Sequence, residues 1–377
     1  MFRINIRGSI KAFLALALLV STFAIGSGST ALAAERNREG SGAVYALTNA
    51  AAGNSVVAFD RASNGSLSFA DTYSTGGLGS GDGLGSQGAL ILSENNNWLF
   101  AVNAGSNDIS VFSVGRHGLE LVDRVASGGT RPIGLTENNG VLYVLNAGGS
   151  GNITGFNVGH DGHLSPIAGS TQPLSGNATG PAQVQFSTDG RLLAVTEKAT
   201  SKIDIYTVSK GGVASGPTVH NSSGATPFGF AFGKGGKLVV SEASGAVSSY
   251  AVGNDGSFNV VSGSSPTHQT AACWLVLTGN QRYAYAANAG SASISGYTVD
   301  GDGNLALLNA DGRTGLTGAH PADLAMSINS HYLYSLNITP TSQGISAFEV
   351  QSDGSLVNVP LSGITGLTTA SAGLAAR

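Results

Sequence analysis

Short apolar stretches alternate with polar, glycine-containing turns through most of the chain, and they show no helical period. The stretch "AANAGSASISGYTVDGDGNLALL" at 286–308 closely matches "AVNAGSNDISVFSVGRHGLELVD" at 101–123. Each copy reads as two apolar strands joined by a polar turn, followed by a glycine turn and a further strand. Short apolar runs bounded by such turns favour β-strands over helices. The pattern therefore predicts an all-β chain built from a repeated unit.

Seven copies of this unit align on one polar residue that follows the second strand of each copy, which we call the register residue. The register residues are Asn49, Asn103, Asn146, Glu197, Glu242, Asn288 and Asn337. Successive register residues are 54, 43, 51, 45, 46 and 49 positions apart. A period in the forties with four short strands per unit is typical of a β-propeller blade. We predict a single seven-bladed β-propeller over residues 42–377, with four antiparallel strands in each blade.

The two ends of the predicted ring complement each other. The first blade lacks an innermost strand, whereas the C-terminal "ASAGLAAR" resembles the innermost strands "PADLAMS" and "GALILS" of other blades. We expect the C-terminal strand to complete blade one, because this contact closes the ring and removes an open edge. The glycine-rich stretch "GGLGSGDGLGS" at 76–86 is predicted to be a flexible loop between blades.

Residues 1–34 have the pattern of a secretory signal peptide. Basic residues precede the apolar run "AFLALALLVSTFAIG", and the small residues of "TALAA" follow it. This order predicts cleavage after Ala33 or Ala34, with an uncleaved membrane anchor as the alternative. Cleavage leaves a short segment at 35–41 before the propeller and predicts a secreted protein, periplasmic or extracellular. No later stretch has the roughly 18 uninterrupted apolar residues of a membrane span.

The composition narrows the possible partners and cofactors. The formal net charge is −4 and only 11% of residues are charged, which argues against a dedicated nucleic-acid binder. Cys273 is the single cysteine and lies in the apolar run "AACWLVL", so we expect a buried, unreactive thiol. The stretch "DGDGN" at 300–304 lacks the downstream glutamate of a calcium loop and is predicted to be a turn. We expect no metal and no cofactor.

Two register residues depart from the repeat. Five blades carry asparagine at this position, whereas blades four and five carry Glu197 and Glu242. Because the ends of these strands surround the mouth of a propeller channel, the two carboxylates from adjacent blades are candidates for a catalytic pair. Such a pair can share a proton or split its pKa values. The alternative is that each glutamate hydrogen-bonds neighbouring backbone, as the asparagines are expected to do.

The innermost strands supply a second set of equivalent positions. These positions are Ala89, Gly134, Gln183, Gly229, Trp274, Asp323 and Gly373. Gln183, Trp274 and Asp323 break a series of otherwise very small residues, and Phe228, Arg131 and His320 lie next to the series. An aromatic face with a few directed polar groups can form a pocket for a sugar or a lactone. The alternative for Trp274 is a place in the core between blades.

At this level the chain resembles the lactonase-type seven-bladed propellers, which include bacterial phosphogluconolactonase and a fungal carboxymuconate-lactonizing cyclase. The phrases "FSTDGRLLAVTEKATSKIDIYTVSKGG" and "YAYAANAGSASISGYTVDGDGNLALL" carry the resemblance. The family site uses a histidine, two arginines and a glutamate. The resemblance places Gln183 at the histidine, Phe228 and Ala289 at the arginines, and Glu242 at the glutamate.

Two functions of different classes follow. The first is a divergent exported hydrolase of a sugar or other lactone, in which Glu242 is the general base, Glu197 its partner, and Gln183 orients the carbonyl. The second is a non-catalytic propeller that binds a ligand or a protein on its channel face, or serves as a scaffold at the cell surface. In either case we expect a monomer. With three acidic groups and no family arginines, we expect a negative mouth that repels phosphorylated lactones and prefers neutral or cationic ligands.

Overall fold

Seven antiparallel sheets arranged as the blades of a ring make up the described part of the chain, residues 40–377 of this computed structural model. Each sheet runs from an inner strand at the central channel to an outer strand at the rim. This architecture confirms the predicted all-β, seven-bladed propeller. The predicted signal peptide at 1–34, and all but the last two residues of the segment 35–41, lie outside the described residues.

The first four blades take the strands from β1 to β16. Blade one contains β1 (Gly42–Leu47), β2 (Ser55–Arg61) and β3 (Leu67–Ser74). Blade two contains β4 (Leu90–Leu92), β5 (Trp98–Asn103), β6 (Asp108–Gly115) and β7 (Gly118–Ala126). Blade three contains β8 (Pro132–Asn138), β9 (Val141–Asn146), β10 (Asn152–Val158), β11 (Leu164–Pro166) and the short β12 (Gln172–Pro173). Blade four contains β13 (Pro181–Phe186), β14 (Leu192–Glu197), β15 (Lys202–Val208) and β16 (Ala214–Asn221).

The remaining blades follow the same order. Blade five contains β17 (Pro227–Phe232), β18 (Lys237–Glu242), β19 (Ala246–Val252) and β20 (Phe258–Pro266). Blade six contains β21 (Ala272–Leu277), β22 (Tyr283–Asn288), β23 (Ser293–Val299), β24 (Leu305–Leu307) and β25 (Gly315–Leu316). Blade seven contains β26 (Pro321–Met326), β27 (Tyr332–Ile338), β28 (Gln343–Val350) and β29 (Leu356–Val359). The helices of the described residues are two 3-10 turns, η1 (Lys234–Gly236) and η2 (Ala289–Ser291). Neither is long and apolar enough to cross a bilayer.

Ring closure occurs where the C-terminal sequence predicts it. Strand β30 (Leu374–Ala376) pairs antiparallel with β1, with Tyr45 opposite Ala375. Backbone hydrogen bonds extend the pairing on both sides, including one of 2.9 Å from Arg377 N to Ala43 O. The chain thus joins its own ends in one four-stranded sheet, and blade one has no open inner edge.

Glycine recurs in the turns after the third strands because the preceding blade packs against it. The Tyr285 hydroxyl donates to the Gly354 carbonyl over 2.8 Å, and the Tyr143 hydroxyl donates to the Gly212 carbonyl over 2.7 Å. Gly354 has φ of 85°, and a Cβ there would lie 2.5 Å from the Tyr283 ring. A side chain is therefore excluded both by the backbone conformation and by the neighbouring blade. This contact repeats around the ring and links successive blades.

Candidate functional site

The channel has a mouth at the end where the inner strands begin and the second strands finish. Pro181 opposes Glu197 there, and Pro227 opposes Glu242. A register shift then follows in the inner strand, and Gln183 in blade four, Trp274 in blade six and Asp323 in blade seven come directly after it. The same shift precedes Gly134 in blade three, so the bulge re-aims this position in several blades whichever residue occupies it.

Glu197 is fully buried and binds the connection that precedes its own blade. Its carboxylate accepts hydrogen bonds from Ser175 N at 3.0 Å, Ser175 Oγ at 2.6 Å and Thr200 Oγ1. Ser175 N also donates to Asp204 Oδ2 over 2.9 Å. Burial, together with the neighbouring Glu197 carboxylate, raises the pKa of Asp204 to about 8. The carboxyl pair in blade four is therefore Glu197 with Asp204, held inside the blade.

Glu242 is also fully buried, and it binds the connection that precedes blade five as Glu197 does in blade four. Its two oxygens accept hydrogen bonds from Gly224 N at 2.8 Å, Ser248 Oγ at 2.5 Å, Ser264 Oγ at 3.0 Å and Ser222 Oγ at 3.3 Å. Within the described residues, no hydrogen-bond partner is common to Glu197 and Glu242. Each glutamate fixes its own loop.

The register asparagines make comparable contacts. Asn103 accepts a hydrogen bond from Thr75 Oγ1 over 2.7 Å, and Asn146 donates to the Ser127 carbonyl over 3.2 Å. In both blades the partner lies in, or at the edge of, the connection that precedes the blade, as it does for the two glutamates. The geometry thus favours the structural alternative for Glu197 and Glu242.

Gln183 and Asp323 tie inner strands together. The Gln183 amide donates to Phe230 O over 2.9 Å and accepts from Phe230 N over 2.7 Å, which joins blade four to blade five. Asp323 accepts from Leu324 N at 2.7 Å and from Leu374 N at 3.1 Å, which joins blade seven to the closing strand. Burial raises the pKa of Asp323 to about 8. Both polar groups are fully engaged within the ring.

The glycine-rich connection between blades one and two enters the channel mouth, and we call its residues 83–88 the plug. The Gln87 side chain reaches across the channel, donating to Leu275 O over 2.9 Å and accepting from Leu275 N over 3.0 Å. Gln87 N also donates to Ala182 O over 3.0 Å. A Cβ at Gly229 would lie 2.2 Å from the Gln87 amide oxygen. The very small residue at position 229 therefore leaves room for the plug.

Five successive blades each place one large side chain at the channel mouth, a set we call the mouth arc. Its members are Arg131, Lys198, Phe228, Trp274 and His320. The Lys198 ammonium lies 4.8 Å from the centre of the Phe228 ring, which in turn lies 5.3 Å from the Trp274 ring centre. The His320 ring meets Trp274 edge-on at 6.3 Å. The structure thus brings together four of the predicted ligand-binding residues and adds Lys198.

A cavity of about 300 Å³ lies on the Trp274 side of the plug. Leu84, Trp274, His320, Ala322 and Ser371 are among its lining residues. The Trp274 indole N–H already has a hydrogen-bond partner within the protein, since it donates to the Ser86 carbonyl over 3.1 Å. This leaves the cavity largely apolar, with an exposed imidazole at one edge.

Lys198 is the mouth residue that the sequence interpretation missed. The residues directly after the register residues are Ala50, Ala104, Ala147, Lys198, Ala243, Ala289 and Ile338. Six of the seven are apolar, so the lysine was visible as a departure from the repeat. Burial lowers the pKa of the Lys198 ammonium to about 8, and the nearby Arg131 guanidinium acts in the same direction.

The positions of the charged residues bear on the predicted negative charge of the channel mouth. Glu197, Glu242 and Asp323 are buried and accept hydrogen bonds, whereas Arg131 and His320 are exposed and Lys198 is half-buried. Burial also raises the pKa of the Cys273 thiol to about 12, so this neighbour of Lys198 is neutral.

Among residues 40–377, no cluster of His, Cys, Asp and Glu side chains is suited to a metal ion.

The chain is similar to known lactonase-type propellers. The model of the lactonase family of seven-bladed β-propellers matches residues 44–177, which confirms the predicted resemblance. A comparison with curated protein sequences finds no match.

Solved structures share the fold at low sequence identity. A Lactobacillus plantarum protein is 16% identical with a TM-score of 0.72, covering 89% of this chain and 99% of its own. A candidate 6-phosphogluconolactonase of Bacteroides fragilis is 20% identical with a TM-score of 0.67, covering 88% and 97%. The periplasmic gluconolactonase of Pseudomonas aeruginosa is 17% identical with a TM-score of 0.65, covering 85% and 95%.

Proposed function

We propose that this lactonase-type propeller is an exported binding protein that takes a ring-shaped small molecule, such as a sugar or a lactone, at its channel mouth. The observation that carries the proposal is the cavity of about 300 Å³ between the plug and the Trp274–His320 pair. Its volume suits one ring, and the part of the Trp274 indole that lines the cavity, in a residue that is 6% exposed, offers that ring an aromatic contact beside the His320 imidazole. The signal-peptide pattern of residues 1–34 supports export.

The burial of the two glutamates supports binding over hydrolysis. A general base must come within hydrogen-bond distance of the water or substrate whose proton it removes. Glu197 and Glu242 have no exposed surface, and their oxygens already accept hydrogen bonds from loop serines and backbone. A ligand that enters the mouth is therefore separated from both carboxylates by the loops to which they are hydrogen-bonded.

A second candidate function is hydrolysis of a sugar lactone in the same cavity. The observation in its favour is His320, an exposed imidazole that lines the cavity beside Trp274. Histidine is the side chain best suited to general-base catalysis near neutral pH. In this mechanism His320 activates a water molecule against the lactone carbonyl. The similarity to a gluconolactonase is consistent with it.

The test is a fluorescence titration of Trp274 in a Trp98→Phe background, which leaves one of the chain's two tryptophans. D-glucose, D-glucono-1,5-lactone and dihydrocoumarin serve as neutral probes. We expect at least one probe to change the Trp274 emission saturably, and a His320→Ala variant to weaken that response. If no probe changes the emission, the cavity is not a site for ring-shaped ligands. Turnover of a probe that His320→Ala abolishes would favour hydrolysis.

A further inference from the structure

Lys198 is a half-buried cation without an acidic partner. Its ammonium donates to the Gly85 carbonyl and lies over the Phe228 ring. Within the described residues, no carboxylate forms an ion pair with it. The charged neighbour is Arg131, which repels it. Desolvating an ammonium costs free energy unless an anion compensates it, and a neutral carbonyl does so only partly.

We propose that Lys198 is an anion site for the carboxylate of a sugar acid, which takes the place of the Gly85 carbonyl. The proposal deepens the proposed function, because the sugar ring occupies the Trp274 cavity while its carboxylate binds the ammonium. Gly85 links the two places, because it lines the Trp274 cavity and its carbonyl accepts the hydrogen bond from Lys198. An ammonium–carboxylate hydrogen bond is stronger than an ammonium–carbonyl one, so the exchange is favourable.

The plug is built so that the part covering Lys198 can move alone. On one side, Asn49 fixes the connection through Ser80 N at 2.9 Å and the Asp82 carbonyl at 2.6 Å. On the other side, Ser86 Oγ donates to Ile133 O over 2.7 Å, and Gln87 is anchored to Leu275. Between these anchors lies the tip Gly83–Leu84–Gly85.

Two glycines flank the single side chain of this tip. Gly85 has φ of 56°, and a Cβ there would lie 3.5 Å from Lys198 Nζ. Glycine permits rotation on both sides of the buried Leu84. A local swing of the tip therefore withdraws the Gly85 carbonyl from Lys198 and widens the cavity, while the anchored ends stay in place.

The charges favour a carboxylate over a phosphate. A phosphate dianion is best bound by bidentate guanidinium groups. Here the ligand meets one point-like ammonium, and the guanidinium of Arg131 is exposed to solvent. A single ammonium balances the single charge of a carboxylate.

The experiment compares sodium D-glucuronate with D-glucose in the Trp274 fluorescence titration, using Trp98→Phe protein at pH 7. We expect glucuronate to bind more tightly than glucose by about tenfold or more, since charge-assisted hydrogen bonds are worth that factor. Raising NaCl from about 0.1 M to about 1 M should weaken glucuronate binding and spare glucose binding, because the Debye length falls from about 10 Å to about 3 Å.

Variants assign the effect to one residue. Lys198→Met should remove the preference for glucuronate, Lys198→Arg should retain part of it, and the exposed turn variant Lys210→Met should leave it intact. Equal affinities for glucuronate and glucose in the Trp98→Phe protein with Lys198 intact would overturn the anion site and leave the proposed ring site standing. Tighter binding of glucose 6-phosphate than of glucuronate would overturn the carboxylate assignment. No response to any ligand would refute the proposed function itself.

Discussion

Removing the closing strand should destabilise the whole propeller. The perturbation is a stop after Ala370, which deletes residues 371–377 together with β30. The deletion exposes the inner edge of β1 and removes Leu374, which is 5% exposed in the closed ring. It also takes away the Leu374 N–H that binds the buried Asp323 carboxyl over 3.1 Å.

The magnitude follows from these contacts. Burial of a leucine side chain is worth about 2 kcal/mol, and Ala372 and Ala375 together add about 1 kcal/mol. The hydrogen bond that Asp323 loses adds about 1–3 kcal/mol. A loss on the order of 5 kcal/mol is a large part of the roughly 5–15 kcal/mol by which domains are stable. With about 2.1 cal/mol/K of unfolding entropy per residue, it corresponds to a fall in Tm of about 7 °C.

The assay is thermal unfolding followed by circular dichroism, applied to a series of C-terminal stops. A stop after Ala376 removes only Arg377, whose backbone pairs with Ala43 at 2.9 and 3.1 Å. A stop after Gly373 removes β30, and a stop after Ala370 removes the connection before it as well. We expect a small fall in Tm at the first step and the main fall at the second. An unchanged Tm after the longest deletion would refute the closure argument.

Three further perturbations test the roles assigned to buried polar groups. Glu242→Gln should lower the free energy of unfolding by about 1–3 kcal/mol in urea titrations, because an amide nitrogen cannot accept the hydrogen bonds that the carboxylate receives; an effect no larger than that of the exposed Glu120→Gln would contradict its structural role. The pKa of Asp323 is raised in the folded state to about 8, so its contribution to stability is complete below pH about 4 and is lost as pH rises through about 8. Measured against wild type, Asp323→Asn should therefore become relatively more stable between pH 5 and pH 9, and a pH-independent difference would argue against this titration. Gln87→Ala removes both hydrogen bonds to Leu275 and should speed amide hydrogen exchange in residues 83–88; unchanged exchange would show that the anchor lies elsewhere.

The sequence predicted the fold because each blade repeats the same local rules. Register residues, glycine turns such as the one at Gly354, and the C-terminal strand are each visible in one blade by comparison with the others. The path of the plug was not visible, because Gln87 binds Leu275, which lies 188 positions away, and the chain between them carries no signal of that contact. The only hint was the spacing of 54 between Asn49 and Asn103, the longest in the series.

The functional site was harder to predict, because a residue that departs from the repeat can either hold a loop in place or face a ligand. Glu197 and Glu242 depart from asparagine, yet both bind loop groups as asparagine does in other blades. Lys198 departs at the next position and reaches the mouth, since its long side chain extends past the small residues around it. Sequence shows that a residue differs, whereas burial and hydrogen-bond partners show which difference faces a ligand.

The measurement that tests the central claim most directly is lactone turnover by the purified protein. D-glucono-1,5-lactone and its 6-phosphate are followed by proton release with wild type, Glu242→Gln, Glu197→Gln and the exposed control Glu120→Gln. We predict that none of these proteins hydrolyses either lactone faster than the spontaneous reaction, because both buried carboxylates are occupied by loop groups. Rapid turnover by wild type and Glu120→Gln that is lost in Glu242→Gln would contradict it and assign Glu242 to catalysis.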